Sequence, residues 1–178
     1  MAGEDEDAKK RAEIDAMAKE TIEELFESSE GAKGLSEKAY GYAVFSNLKI
    51  AFGISGGGGS GVAASNDGER TYMNMGTGGI GLGLGAQKYQ VIFFFETEKA
   101  FRSFVDKGWQ ADASAQAAAG DAAAGAAATF KNEVAVFQMT DKGLMASADI
   151  TGTKYWKSDD LNEKKEKEKE EKGDDEKE

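Results

Sequence analysis

Between Ala8 and Phe26 the apolar residues Ile14, Met17, Ala18, Ile22 and Leu25 recur at helical spacing, with Lys and Glu at the positions between. This pattern predicts an amphipathic helix, either packed on the domain or lying on a membrane surface. A membrane-surface helix wants a basic polar face. Here acids outnumber Lys9, Lys10, Arg11 and Lys19, which favours packing. Ser36 reads as the N-cap of a helical turn. Two strand-like runs follow, 42–46 and 49–54, and then a glycine-rich loop, Gly56–Gly61. Asn66-Asp67-Gly68 is a strong hairpin turn, because Asn and Gly tolerate positive φ, and 70–75 is its return strand.

Over Gly79–Ala86, glycine alternates with Ile80, Leu82 and Leu84. A period of two belongs to a strand, here with one face stripped of side chains, as suits close packing in a curved sheet. Tyr89–Phe95 is apolar on both faces, which predicts a central strand covered from both sides. Thr97 caps a short helix whose Phe101, Phe104 and Val105 share a face, and Gly108 ends it. Residues 111–129 are mostly Ala and Gly. Propensity alone says helix, but Gly120, Gly125 and the alternation of Asp112, Ser114 and Gln116 with alanine favour strands of small residues. A hairpin over 133–150 turns at Thr140–Gly143, and Thr153–Trp156 closes the domain.

Charge divides the chain into three parts. The net charge of −11 is concentrated at the two ends. Residues 1–30 hold 11 acids and 4 bases, residues 158–178 hold 11 acids and 6 bases, and residues 31–157 are close to neutral. The expected organisation is an acidic N-terminal helix (1–30), a folded body (31–157) and a disordered Glu/Lys tail (158–178) with no face to bury. No basic stripe exists to release counterions, which sets nucleic acid aside as a partner.

Composition removes several chemistries. With no Cys and no His there is no thiolate, no imidazole base and no zinc-type ligand set, so neither metal nor cofactor is expected. Two glycine stretches match G-x-G-x-x-G, at Gly56–Gly61 and Gly76–Gly81. Both lead into strands rather than helices, so neither reads as a nucleotide loop. Asp112, Asp121 and Asp149 are the acids in apolar or small-residue surroundings, and nothing positions a nucleophile beside them. An enzyme is not expected. No apolar run approaches the roughly 20 residues that span a bilayer. The first residues lack the basic and apolar regions of a signal peptide. That leaves either an intracellular chain or one whose targeting segment lies outside this sequence.

The succession of motifs is more specific than any one of them. Lys38–Phe45 precedes the glycine run Gly56–Gly61, and then come Gly78–Gln87, Ala111–Ser114 and Lys142–Ser147 through Gly152. In that order and spacing the chain resembles the SYLF domain family, over roughly residues 33–157. The resemblance implies an α+β fold: a strongly curved, barrel-like antiparallel sheet with an N-terminal amphipathic helix and one or two short helices. It also implies binding of phospholipids, notably phosphoinositides, and in some eukaryotic members binding or bundling of actin. The body carries no FYVE or other partner module, which resembles the bacterial type, whose members are typically exported to the periplasm or cell envelope.

Together these readings describe a non-enzymatic, peripheral phospholipid-binding domain. The candidate lipid-facing residues are Lys9, Lys10 and Arg11 toward headgroups, and Ile14, Met17, Ile22 and Leu25 as the inserting face. Lys49 and Lys88 would assist from the body. Each lysine near an anionic surface contributes about 1 kcal/mol, so a few of them against many acids predict weak, salt-sensitive binding. The alternatives are a protein-interaction module of actin-binding or envelope type, and a carrier of a small apolar ligand with strand 79–85 as its floor.

Overall fold

The N-terminal periodicity forms α1, Ala2–Ser28. Arg11, Ile14, Ala18, Thr21 and Leu25 form its buried stripe, one side of a helix at spacings of three and four. At Ser29 the chain breaks and restarts as α2, Glu30–Lys38. The Ser29 hydroxyl accepts a hydrogen bond from the Ala32 N–H at 3.1 Å and so caps this helix. Ser36, expected to be the cap, instead sits inside α2. Its hydroxyl is turned back to donate to the Lys33 carbonyl at 2.7 Å.

This computed structural model describes residues 2–110, 129–145 and 153–162. The expected small-residue strands, Asp112, Asp121, Asp149 and the Glu/Lys tail beyond Asn162 fall outside them.

Two long strands dominate. The first, β1 (Gly41–Ser65), and the second, β2 (Arg70–Phe95), pair antiparallel from Gly41↔Phe95 to Ala64↔Arg70, with a register shift between Phe52 and Ile54. The turn at Asn66–Gly68 joins them as expected, with Gly68 at φ 88°. The expected glycine loop 56–61 is instead part of β1, and the separate short strands merge into this hairpin. The reason is close approach of the chain to itself. A Cβ at Gly59 would overlap the Ser46 carbonyl, and one at Gly61 would overlap the Val44 carbonyl. A Cβ at Gly41 would lie 2.7 Å from the Ala64 carbonyl. The two halves of β1 thus fold onto each other, and only hydrogen atoms fit between them.

Helix α3 (Glu98–Lys107) begins at the Thr97 cap, whose Oγ1 accepts from the Ala100 N–H at 3.2 Å, and ends at Gly108 with φ 73°. Short β3 (Trp109–Gln110), β4 (Val134–Thr140), β5 (Gly143–Leu144) and β6 (Thr153–Lys157) complete the sheet among the described residues. Its order is β3-β6-β2-β4-β5, with β1 along the other edge of β2. The whole is an α+β fold in which the antiparallel sheet curls into a half-barrel.

Alternation along β2 distributes its side chains between two cores. Tyr89, Val91, Phe93 and Phe95 face α3, and Ile92 and Phe94 face α1 and α2. Every residue from Val91 to Phe95 is at most 1% exposed, as expected for a strand covered on both sides. Burying each such side chain stabilises the fold by about 1.5–3 kcal/mol. The inner core is aromatic: Phe45 and Tyr155 lie 4.8 Å apart between centroids, and Phe93 and Phe104 lie 5.0 Å apart. Tilted and edge-on pairs of this kind suit the ring quadrupoles.

Candidate functional site

Helix α1 crosses the outer face of the sheet. At one end Phe26 stacks on Phe94 with centroids 6.5 Å apart. At the other, Asp15 receives the Arg70 guanidinium at 3.0 Å and the Tyr72 hydroxyl at 3.0 Å. Burial, reinforced by the hydrogen bond to Asp15, pushes the Tyr72 phenol up to about 12. Asp15 therefore fixes the helix to the hairpin by two different donors.

Between these two anchors Ala18 and Leu25 pack the helix onto the sheet, and a gap is left along its flank. A groove of about 690 Å³ opens there, floored by Tyr42, Val62 and Phe94 and walled by Ile22 and Phe26. Its rim carries Lys19 and Glu23 from α1, and Ser65 and Arg70 from the hairpin. Ser65 is 5% exposed, and its hydroxyl meets no hydrogen-bond partner among the described residues. The volume lies within the range of small-molecule sites, about 300–1,000 Å³.

The inner face of the sheet is different. The aromatic core and α3 fill it over the described residues, and the expected carrier floor, 79–85, has its backbone paired with 51–55 of β1. Apolar space of ligand size lies on the outer face, beside α1.

The sequence-derived lipid-facing residues do not form one patch. Lys9 and Lys10 are exposed in the early turns of α1. Arg11 is buried, and its Nη1 donates to the Leu161 carbonyl at 3.3 Å, tying α1 to a helical turn at 159–162. Ile14 and Leu25 are buried in the outer core, with Met17 and Ile22 partly buried against it. Lys88 is exposed beside Glu24 and Glu27 at the far end of α1, about 20 Å along the helix from Lys10. The Lys49 side chain lies outside the described part. Insertion of Ile14 and Leu25 into a bilayer requires α1 to lift off the sheet.

A second surface was not singled out from the sequence. Trp156 on β6 is 45% exposed, the exposed large hydrophobic side chain among the described residues. Its ring reaches over β2, so that a Cβ at Gly76 would come within 3.2 Å of it. It pairs opposite Asn74, and exposed Lys154 pairs opposite Gly76 on the same face. The Lys-x-Trp spacing at 154–156 was the available signal, since residues two apart on a strand share a face.

Residues 76–167 match the family described as Ysc84, Las17-binding protein actin regulator. The chain belongs to this Ysc84 (SYLF) family. It is 38% identical over 154 residues to Beta cell expansion factor A of Aeromonas veronii, a match spanning 86% of this chain and 59% of that protein. The chain therefore corresponds to less than two thirds of the relative's length. The SYLF family is linked to lipid binding and actin regulation and is generally non-enzymatic. Its matched segment includes much of β2 and all of β4 and β6, the part of the sheet that carries Trp156.

Proposed function

We propose that this chain is a non-enzymatic module that docks on phospholipid surfaces. The observation that carries the reading is Trp156, exposed beside Lys154 on a glycine-bared stretch of the sheet. An indole on a flat face suits the interface, where its ring partitions among headgroups while its N–H stays hydrogen-bonded. Family membership supports the same reading.

Helix α1 contributes Lys9 and Lys10 at the headgroup level. Exposing Ile14 and Leu25 would cost about 1.5–3 kcal/mol each, against about 1 kcal/mol gained per lysine at an anionic surface. The helix therefore stays docked in this reading. The 11 acids in residues 1–30 weaken attraction to strongly anionic lipid, including the phosphoinositides expected from the resemblance. Binding is weak and salt-sensitive.

Vesicle co-sedimentation tests this with neutral, anionic and phosphoinositide-containing vesicles at low and physiological salt. The full chain is expected to pellet with vesicles, and Trp156→Ala to pellet less while unfolding at the same temperature. Equal pelleting of the two proteins would remove Trp156 from the mechanism, and unchanged retention of a Lys9→Glu, Lys10→Glu variant would remove the α1 lysines.

A second reading, a protein-interaction module of actin-regulator type, is favoured by the description of the matched family. Co-sedimentation with actin filaments in the absence of lipid separates it from the first.

A further inference from the structure

Two kinds of glycine alternate along the run 56–61. On the inner face Gly59 and Gly61 are required by packing, because the backbone at 44–46 leaves no room for a Cβ. On the outer face Gly56 and Gly58 are exposed. A Cβ there would meet nothing nearer than the Thr77 carbonyl at 4.0 Å and the Met75 carbonyl at 3.8 Å, respectively. Neither glycine has a positive φ. Packing and backbone conformation thus give no reason for these two glycines. Bare backbone within a strand otherwise marks a place that a ligand or another chain approaches closely.

The register shows what surrounds them. Gly58 pairs with Gly76, and Gly76 with Lys154, so the three form a row across β1, β2 and β6. The next row on the same face is Ser60, Asn74 and Trp156. The six-membered end of the Trp156 indole reaches over Gly76 and so toward Gly58. The bare strand forms the floor of a shallow site, and the indole forms its wall. None of these positions carries a carboxylate. Lys157 points to the opposite face and pairs with Asp106 at 3.0 Å. Asp159 and Asp160 lie on the helical turn beyond the strand.

These groups narrow the occupant. Lys154 disfavours a quaternary ammonium against the indole. The net charge of −11 disfavours a multiply anionic head. A neutral sugar ring meets neither objection. It presents C–H groups on one side, which suit the electron-rich face of an indole. Its hydroxyls both donate and accept, as do the side chains of Asn74 and Ser60.

We infer that the site between Trp156 and the bare strand at Gly56–Gly58 binds the sugar headgroup of a neutral glycolipid, a glycosyl diacylglycerol. The inference rests on the reading of Trp156 as the contact with a lipid surface and adds the headgroup class. The indole and the glycine floor take the ring, Asn74 and Ser60 take its hydroxyls, and the acyl chains stay in the bilayer.

Vesicle flotation of the full chain at physiological salt tests this, with phosphatidylcholine alone and with phosphatidylcholine mixed with monoglucosyl diacylglycerol. Binding is expected to rise about three- to tenfold with the glycolipid, the effect of one or two hydrogen bonds. Gly58→Val places a side chain on the floor where the fold leaves room for it. It is expected to melt with the parent and to lose that rise. Asn74→Ala is expected to lose most of it. Soluble maltose supplies a second measurement should Gly58→Val melt below the parent. The chain has two tryptophans, and Trp109 is packed against the inner core, so their indole N–H signals report separately. Maltose is expected to shift the Trp156 signal and to leave that of Trp109 in place.

Equal binding to the two kinds of vesicle, or a rise that Gly58→Val keeps in full, would overturn the sugar site and leave the surface reading standing. Binding to glycolipid vesicles alone would support the sugar site and defeat partitioning of Trp156 into a phospholipid surface. A maltose shift without any rise on glycolipid vesicles would overturn the lipid source in favour of a free saccharide. Absence of both vesicle binding and a maltose shift would defeat both readings.

Discussion

Tyr72 donates to both carboxylate oxygens of Asp15, at 3.0 and 3.2 Å, so a buried side chain of the hairpin is latched to the helix that crosses it. Arg70 reaches the same carboxylate from the next outward position on that strand. Asp15→Ala removes the acceptor and leaves the Tyr72 hydroxyl without it. The expected loss of stability is about 1–3 kcal/mol, mostly from the charge-assisted hydrogen bond rather than the half-exposed ion pair. Urea denaturation checks this, and an unchanged midpoint would show that α1 is held by its apolar stripe alone.

The same latch gives the fold an alkaline limit. The Tyr72 phenol is raised from 10.0 to about 12, first by burial and then by Asp15. Burial also pushes the Tyr155 phenol up. A group whose folded-state value is raised contributes stability that is complete below its unfolded value and is lost as pH rises through the folded one. Stability is therefore expected to fall from pH 10 toward 12. Tyr72→Phe should make that fall shallower, and thermal melts across the range would show it. A slope identical to the parent's would contradict the assignment.

Gly61 and Gly58 lie in the same glycine run but face opposite ways. A Cβ at Gly61 would overlap the Val44 carbonyl and crowd the Phe45 ring, whereas at Gly58 the nearest atom is the Met75 carbonyl, 3.8 Å away. Gly61→Ala is expected to destabilise by about 1–3 kcal/mol or more through overpacking. Gly58→Ala should be nearly neutral. Comparable melting temperatures for the two variants would mean that β1 does not fold onto itself in solution.

Leu25 of α1 is fully buried in the outer core. Leu25→Ala is expected to cost about 2–5 kcal/mol, the range for deleting a packed leucine side chain. A cost below 1 kcal/mol in chemical denaturation would show that the helix end is loosely docked.

What could be read from the sequence was local. The helical spacing of Ile14, Ala18 and Leu25, the turn at Asn66–Gly68, the Thr97 cap and the doubly apolar run 91–95 each carry their cause within a few residues. The run 56–61 looks like a loop because glycine usually punctuates turns, whereas its cause here is the backbone at 44–46, distant in sequence. Ser36 resembles a cap because Glu37, Lys38 and Ala39, all helix formers, follow it. The helix actually starts at Ser29, where α1 has barely ended. The groove could not be seen because Ile22, Tyr42, Val62 and Phe94 come from separate elements and meet only through the curl of the sheet. Ser65 carried no signal, since an unsatisfied hydroxyl exists only relative to its neighbours in space.

The length of the β1–β2 hairpin also constrains how the chain folds. Its turn at Asn66–Gly68 can form early, because Ala64 and Arg70 are close in sequence, but the last pair, Gly41↔Phe95, joins residues far apart. Closing in order from the turn adds each pair at little extra entropic cost, whereas closing the open end first requires a large loop. Zipping from the turn is therefore the economical order. The buried phenylalanines at 93–95 lie at the end that closes last, so they stay exposed until late. Such a topology, rich in non-local strand pairs, places folding in the millisecond-to-second range. In that interval Phe93-Phe94-Phe95 would be a sticky segment, which only the arrival of α1 and α3 on its two faces removes from water.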